Sequence, residues 1–141
     1  VVSGAADVVI ASKYLRDSVV RGRPLIRRLG SRVYNAMLRL LIRGGIRDYS
    51  NSYRFYNRRA AEALLHFSAT YTTPVYLIEM MAIWFANGFR VSERPTCYVE
   101  RASGASKVTL IDVFRGFAGA FQVGLRYGRG GYRMATPSST D

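Results

Sequence analysis

The alternation of a short β-branched run with longer helical patterns constrains this chain more than any other feature. "DVVIAS", Asp7 to Ser12, is too short and too rich in valine and isoleucine for a helix, and predicts a buried strand. "KYLRDSVVRGR" follows as a polar, basic loop. Pro24 then opens a helix at a position where its missing N–H is no loss. Leu25, Leu29, Val33, Ala36, Met37, Leu40 and Leu41 recur at helical spacing, predicting a buried stripe that Gly44-Gly45 ends. "SNSYRFYN" predicts a short strand and "RRAAEALLHF" a helix. After Pro74, "VYLIEMMAIWFANG" predicts a mostly buried helix ended by Gly88. "FRVSERPTCYVE" predicts a strand that Pro95 confines to a sheet edge or bulge. A last helix from Lys107 places Leu110, Val113, Phe114, Phe117, Ala118, Phe121 and Leu125 on one face, and "GRGGYRMATPSSTD" reads as a disordered tail. Strands alternating with helices give an α/β fold.

Charge narrows the partners. Among 141 residues, 21 Lys and Arg face 9 acids, a net +12 that calls for an anion: nucleic acid, an acidic membrane surface or a phosphorylated substrate. No helix-turn-helix, zinc or RNP-like motif supports nucleic acid. A lone Cys97 and a lone His66 exclude a disulfide framework and a Cys- or His-based metal site, and both read as packing residues. The first residues carry neither Met nor a charged leader, so no signal peptide is expected. The longest apolar tract, Val108 to Leu125, is broken by Asp112 and Arg115, so no membrane-spanning helix is expected.

Four patterns are able to carry chemistry. Lys13-Tyr14 follows the first strand, where ligands of α/β sheets collect, though a solvated lysine has the same appearance. Arg27, Ser31 and Asn35 stack on one helix face, where a guanidinium fork and a hydroxyl suit a phosphate or simply meet water. Arg28, Arg32, Arg39 and Arg43 flank that face. Glu79 inside an apolar helix either pairs with an arginine, the commoner outcome, or is kept for function; Asp48 and Arg54 share that ambiguity. "RASGASK" surrounds Gly104 with Arg101, Ser106 and Lys107 ahead of a helix start, which favours anions. The aromatics Tyr53, Phe55, Tyr56 and Trp84 read as core.

Taken in order, "ADVVIASKY", "RRLGSRVYN", "DYSNSYRFY", "YLIEMM" and "RPTCYVERASGASK" resemble the second half of the polyprenyl- or dolichol-phosphate mannosyltransferase-like family 2 glycosyltransferases. The likeness runs from Ala6 to Arg126 and implies the GT-A fold, as its acceptor half only. Residues 1–127 would then be a partial glycosyltransferase domain and 128–141 a tail. The resemblance implies inverting transfer of a sugar, mannose or glucose, from GDP-mannose or UDP-glucose to polyprenyl or dolichyl phosphate. It places the protein peripherally at the cytoplasmic face of a membrane, with no nucleic-acid partner. It assigns the acceptor phosphate to Lys13 (where the family has Arg), Arg27, Ser31 and Arg101. Tyr14, Asn35, Arg54, Gly104, Ser106 and Lys107 support them, and Asp48 and Glu79 match acidic positions of catalytic interest. A phosphate is already anionic, so Glu79 would orient rather than deprotonate. The family's Mg2+ or Mn2+ is held by an Asp-x-Asp motif that this sequence lacks, so no metal ligand is expected here and the chain alone is expected to be inactive. The competing readings are a basic nucleic-acid-binding module and a non-catalytic membrane-surface protein.

Overall fold

A computed structural model describes residues 4–99 and 109–134. The first strand, β1 (Val8–Ser12), lies at the centre of a three-stranded sheet. It pairs antiparallel with β3 (Arg54–Tyr56) and parallel with β4 (Val91–Pro95). The stretch expected to be a plain loop contains a further strand, β2 (Val19–Arg21), which pairs in parallel with β5 (Cys97–Val99). Three residues without strong alternation are too few to signal a strand in sequence; the partner supplies the order. Pro95 explains the change of sheet, because it has no N–H to extend the ladder. Helices α1 (Leu25–Ile42), α2 (Arg58–Leu65), α3 (Tyr76–Ala86) and α4 (Leu110–Gly128) complete the elements among the described residues. The mixed α/β arrangement is the one the alternation predicts.

The core is built on α3, which is apolar nearly all round. Ile78, Met81, Ala82, Ile83 and Trp84 are buried together with Val8 and Ile10 of β1. The Trp84 indole, fully enclosed, donates to the Ala60 carbonyl at 2.8 Å, so its polar edge is satisfied inside the core. Gly88, at φ +70, ends the helix in a conformation side chains resist. Tyr53, Phe55 and Tyr56, expected in the core with Trp84, are exposed on and beside the edge strand β3. His66 and Cys97, expected to pack, are exposed too.

Both amphipathic helices turn much of the stripe their periodicity suggests toward solvent, keeping Met37 and Leu41 of α1 and Phe117 of α4 against protein. In α1 the buried residues are Asn35, Leu38 and Ile42, while Leu25 (80%), Ile26 (80%), Leu29 (61%) and Leu40 (75%) are exposed. In α4 the buried residues are Gly119, Ala120, Val123 and Gly124, while Leu110, Val113, Phe114, Phe121 and Leu125 of the expected apolar face are exposed. The reason is helix proximity. A Cβ on Gly124 would stand 2.7 Å from Leu41 Cβ, and one on Gly119 would stand 3.0 Å from a Val75 methyl, so small residues let the helices approach. Thr109 and Asp112 form a reciprocal capping box that starts α4. Tyr34 of α1 meets Phe117 edge-on at 4.9 Å across the helix pair. Burial raises its phenol to about 12. No helix among the described residues is long and apolar enough to cross a membrane.

The segment after α4, expected to be a disordered tail, is packed as far as Met134. Tyr132 is 1% exposed, and its hydroxyl donates to Glu79 Oε1 at 3.1 Å. Asn87 fastens the same segment, donating to the Tyr132 carbonyl at 2.7 Å and accepting from the Met134 amide at 2.8 Å. Glycines made the segment look loose; one tyrosine and one asparagine hold it.

A cationic cleft as the candidate functional site

The C-terminal end of β1 opens into a cavity of about 810 Å³ between the β1–β2 connection and one face of α1. Lys13, Arg23, Arg28, Arg32, Arg39 and Arg47 line it, and no acidic residue does among the described residues. Arg28, Arg32 and Arg39 share a helix face with Asn35, because their spacings of four and seven repeat the helical turn. So many cations around one hollow repel each other, and an anion inside relieves that repulsion.

Arg28 is the most telling of the six. Its Nη2 donates to the Val20 carbonyl at 2.7 Å, which ties α1 to β2 and fixes the guanidinium plane. Its Nε is buried yet has no hydrogen-bond partner among the described residues. A buried N–H left unpaired costs about 1–3 kcal/mol, and charged groups more, so such an atom marks a place for an acceptor. Tyr14 reaches across the cleft entrance to hydrogen-bond Ser31 through the two hydroxyls. Lys13 sits with its ammonium 5.2 Å from the centre of the Tyr98 ring, a cation–π contact that draws β5 toward the site.

Beneath the cleft, the turn from Arg47 to Asn51 is held by side chains rather than by ladder bonds. Asp48 is fully buried; its Oδ2 accepts the Lys13 amide at 3.1 Å and its Oδ1 accepts the Asn51 amide at 3.1 Å. Asn35 accepts the Tyr49 amide at 2.7 Å and donates to the Ser31 carbonyl at 2.9 Å. Arg54 donates to the carbonyls of Asn51, Leu77 and Tyr49 at 2.7, 2.6 and 2.7 Å. Burial works against its charge and brings it down to about 10, which leaves it a cation at neutral pH.

The sequence candidates therefore separate. Lys13, Tyr14 and Asn35 line the cleft, and Ser31 joins it through Tyr14. Arg27 is exposed and does not line it; its neighbour Arg28 does, one residue being about 100° of helix rotation. Asp48 and Arg54 lie under the cleft as supports. Glu79 is elsewhere, buried between the Tyr132 hydroxyl, the Thr70 amide at 3.0 Å and the Arg126 guanidinium at 3.6 Å. Arg101, Gly104, Ser106 and Lys107 lie outside the described residues. Sequence reasoning noted Arg28, Arg32 and Arg39 only as a flank; the signal available was their own four- and seven-residue spacing. Arg23, Arg47 and Ser18, which also line the cavity, gave no signal. Among the described residues no group of three or more His, Cys, Asp or Glu is placed to hold a metal ion.

No family model matches the chain. It is 34% identical over 110 residues to polyprenol monophosphomannose synthase of Mycolicibacterium smegmatis, covering 77% of this chain and 41% of that protein. It is 32% identical over 109 residues to glycosyltransferase AglD of Haloferax volcanii, covering 77% of this chain and 17% of the relative. The chain thus spans less than half the length of either relative. Over 77% of its length the chain is thus similar in sequence to two proteins named as glycosyl-group transferases, one of them a polyprenol monophosphomannose synthase.

Proposed function

We propose that this chain is the acceptor-side part of a GT-A glycosyltransferase and that the cationic cleft grips the phosphate of a polyprenyl phosphate. The observation that carries the reading is the buried Nε of Arg28, without a hydrogen-bond partner among the described residues, in a cavity lined by five further cations. A phosphate monoester offers several acceptor oxygens and two negative charges, and an arginine fork fixes its orientation. The names of the two relatives, one a polyprenol monophosphomannose synthase, agree with that substrate class.

In this reading a phosphate oxygen attacks the anomeric carbon of a nucleotide-linked sugar. The new bond joins that carbon to the lipid phosphate, and the bond to the nucleoside diphosphate breaks with inversion. No general base is required, because the nucleophile is already an anion. The work of Lys13, Arg28, Arg32, Arg39 and Arg47 is to hold it in line and to neutralise it without quenching it. The donor, GDP-mannose or UDP-glucose, and any Mg2+ or Mn2+ belong to parts of the enzyme beyond the residues described here.

The exposed apolar faces of α1 and α4 extend the reading to the lipid. Leu25, Ile26 and Leu29 on one helix, and Leu110, Ile111 and Phe114 on the other, are large, apolar and exposed, and arginines lie beside them on α1. A bilayer with anionic headgroups satisfies both features, and places a polyprenyl tail beside the cleft. Isothermal titration of the chain with farnesyl phosphate, against farnesol as control, tests the core of the proposal. Binding that needs the phosphate is expected; equal affinity for the two ligands would refute it.

A further inference from the structure

We infer that Glu93 is a positioning residue for the cleft, setting the cations Arg47 and Lys13 from the neighbouring strand β4. The inference rests on the phosphate-binding reading of that cleft. Glu93 lies on β4 in register with Ile10 of β1. Its two carboxylate oxygens accept two successive backbone amides, Oε2 from Arg47 and Oε1 from Asp48, each at 2.9 Å. Asp48 passes the constraint on, since its Oδ2 accepts the Lys13 amide at 3.1 Å. Two carboxylates thus join three segments that are remote in sequence: β4, the turn after α1, and the end of β1.

The chemistry selects a carboxylate at this place. Adjacent amides that point the same way form a small anion-binding concavity, and only an ionised carboxylate gives both of them an acceptor at once. An amide side chain has one acceptor, and its NH2 would face the second N–H. The Arg47 guanidinium leans back over the same path, donating to the Tyr14 carbonyl at 3.4 Å. With its backbone held by Glu93 and its guanidinium donating to Tyr14, Arg47 joins the cavity lining. Glu93 itself does not line the cavity, so its influence reaches the ligand only through the residues it holds.

A double-mutant cycle on the whole chain tests this, with farnesyl phosphate as the probe in calorimetric titration. Glu93→Gln is expected to weaken binding roughly five- to tenfold, one charge-assisted acceptor being lost. In an Arg47→Ala background the same substitution is expected to lose at least half of that effect, because the cation it positions is gone. A residue that merely stabilises the fold would weaken binding equally in both backgrounds, and that additivity overturns the inference. Should Glu93→Gln fail to fold, Glu93→Asp, which keeps both oxygens on a shorter stem, is carried through the same cycle. If the native chain does not prefer farnesyl phosphate to farnesol, the cleft reading itself falls, and this inference with it. If it does and the cycle is additive, only the role of Glu93 falls.

Discussion

Replacing Arg28 by methionine separates the cleft from the helix surface beside it. Methionine preserves much of the stem volume and removes every donor. Two losses follow. The Val20 carbonyl loses its 2.7 Å donor, at a cost of about 1 kcal/mol in stability. The phosphate loses a charge-assisted contact to a half-buried guanidinium, worth about 1.5–3 kcal/mol, or roughly 10- to 150-fold in dissociation constant. Arg28→Lys restores charge without the planar fork and should fall between methionine and the native residue. Arg27→Ala is the internal control: that side chain is exposed and outside the cavity lining, so its effect should stay within about threefold at physiological salt. The assay is titration with farnesyl phosphate, with thermal melts to confirm that each variant is folded. An Arg27→Ala loss equal to or larger than that of Arg28→Met would refute the assignment, since the neighbouring arginine would then be the one that meets the anion.

Three further outcomes are expected. Gly124→Ala should destabilise by about 1–3 kcal/mol, because its Cβ falls 2.7 Å from Leu41, whereas Gly116→Ala, with open space around it, should gain about 0.5–1 kcal/mol; paired thermal melts decide. Asp7 accepts the Arg90 amide and the Asn57 side chain, which hold its carboxyl below the usual 3.8, the Arg90 amide most strongly. Its contribution to stability is therefore full above that value and lost as pH falls through the lower folded value. Asp7→Asn should flatten the acid limb of urea-unfolding stability, and an unchanged limb would count against it. Phe114→Asp should leave stability within about 0.5 kcal/mol, the side chain being exposed, yet reduce flotation with anionic phospholipid vesicles severalfold; flotation unchanged would remove the bilayer from the proposal.

Much of the fold was legible because local chemistry and tertiary structure agree. β1 is marked by its β-branched run, α3 by an apolar run broken only by Glu79, and Gly88 and Pro95 stop elements where they stand. The orientation of α1 and α4 was not legible. A 3.6-residue period reveals an apolar stripe but not whether protein or something else covers it. In α4, glycines outcompete phenylalanines for the interior because they shorten the distance between helix axes. The cleft was half legible. Lys13 and Tyr14 follow from the end of a strand, and a basic helix follows from counting. Which arginine turns inward depends on a rotation set by Leu38 and Ile42, which are buried on the flank of α1 that adjoins Asn35. Glu93 could not be found at all, since its partners are backbone amides, which every residue possesses.

The two parallel ladders bring the same pair of distant stretches together twice: Val8 meets Val91 in one sheet, and Val19 meets Cys97 in the other. Loop closure on that scale precedes any reward from pairing, so assembly of these sheets is a late and slow event. On the ribosome the hollow between β1 and α1 has to wait, unfinished, for residues translated long afterwards. Its crowded positive charges would meanwhile be open to any polyanion in the vicinity, and ribosomal RNA is the nearest.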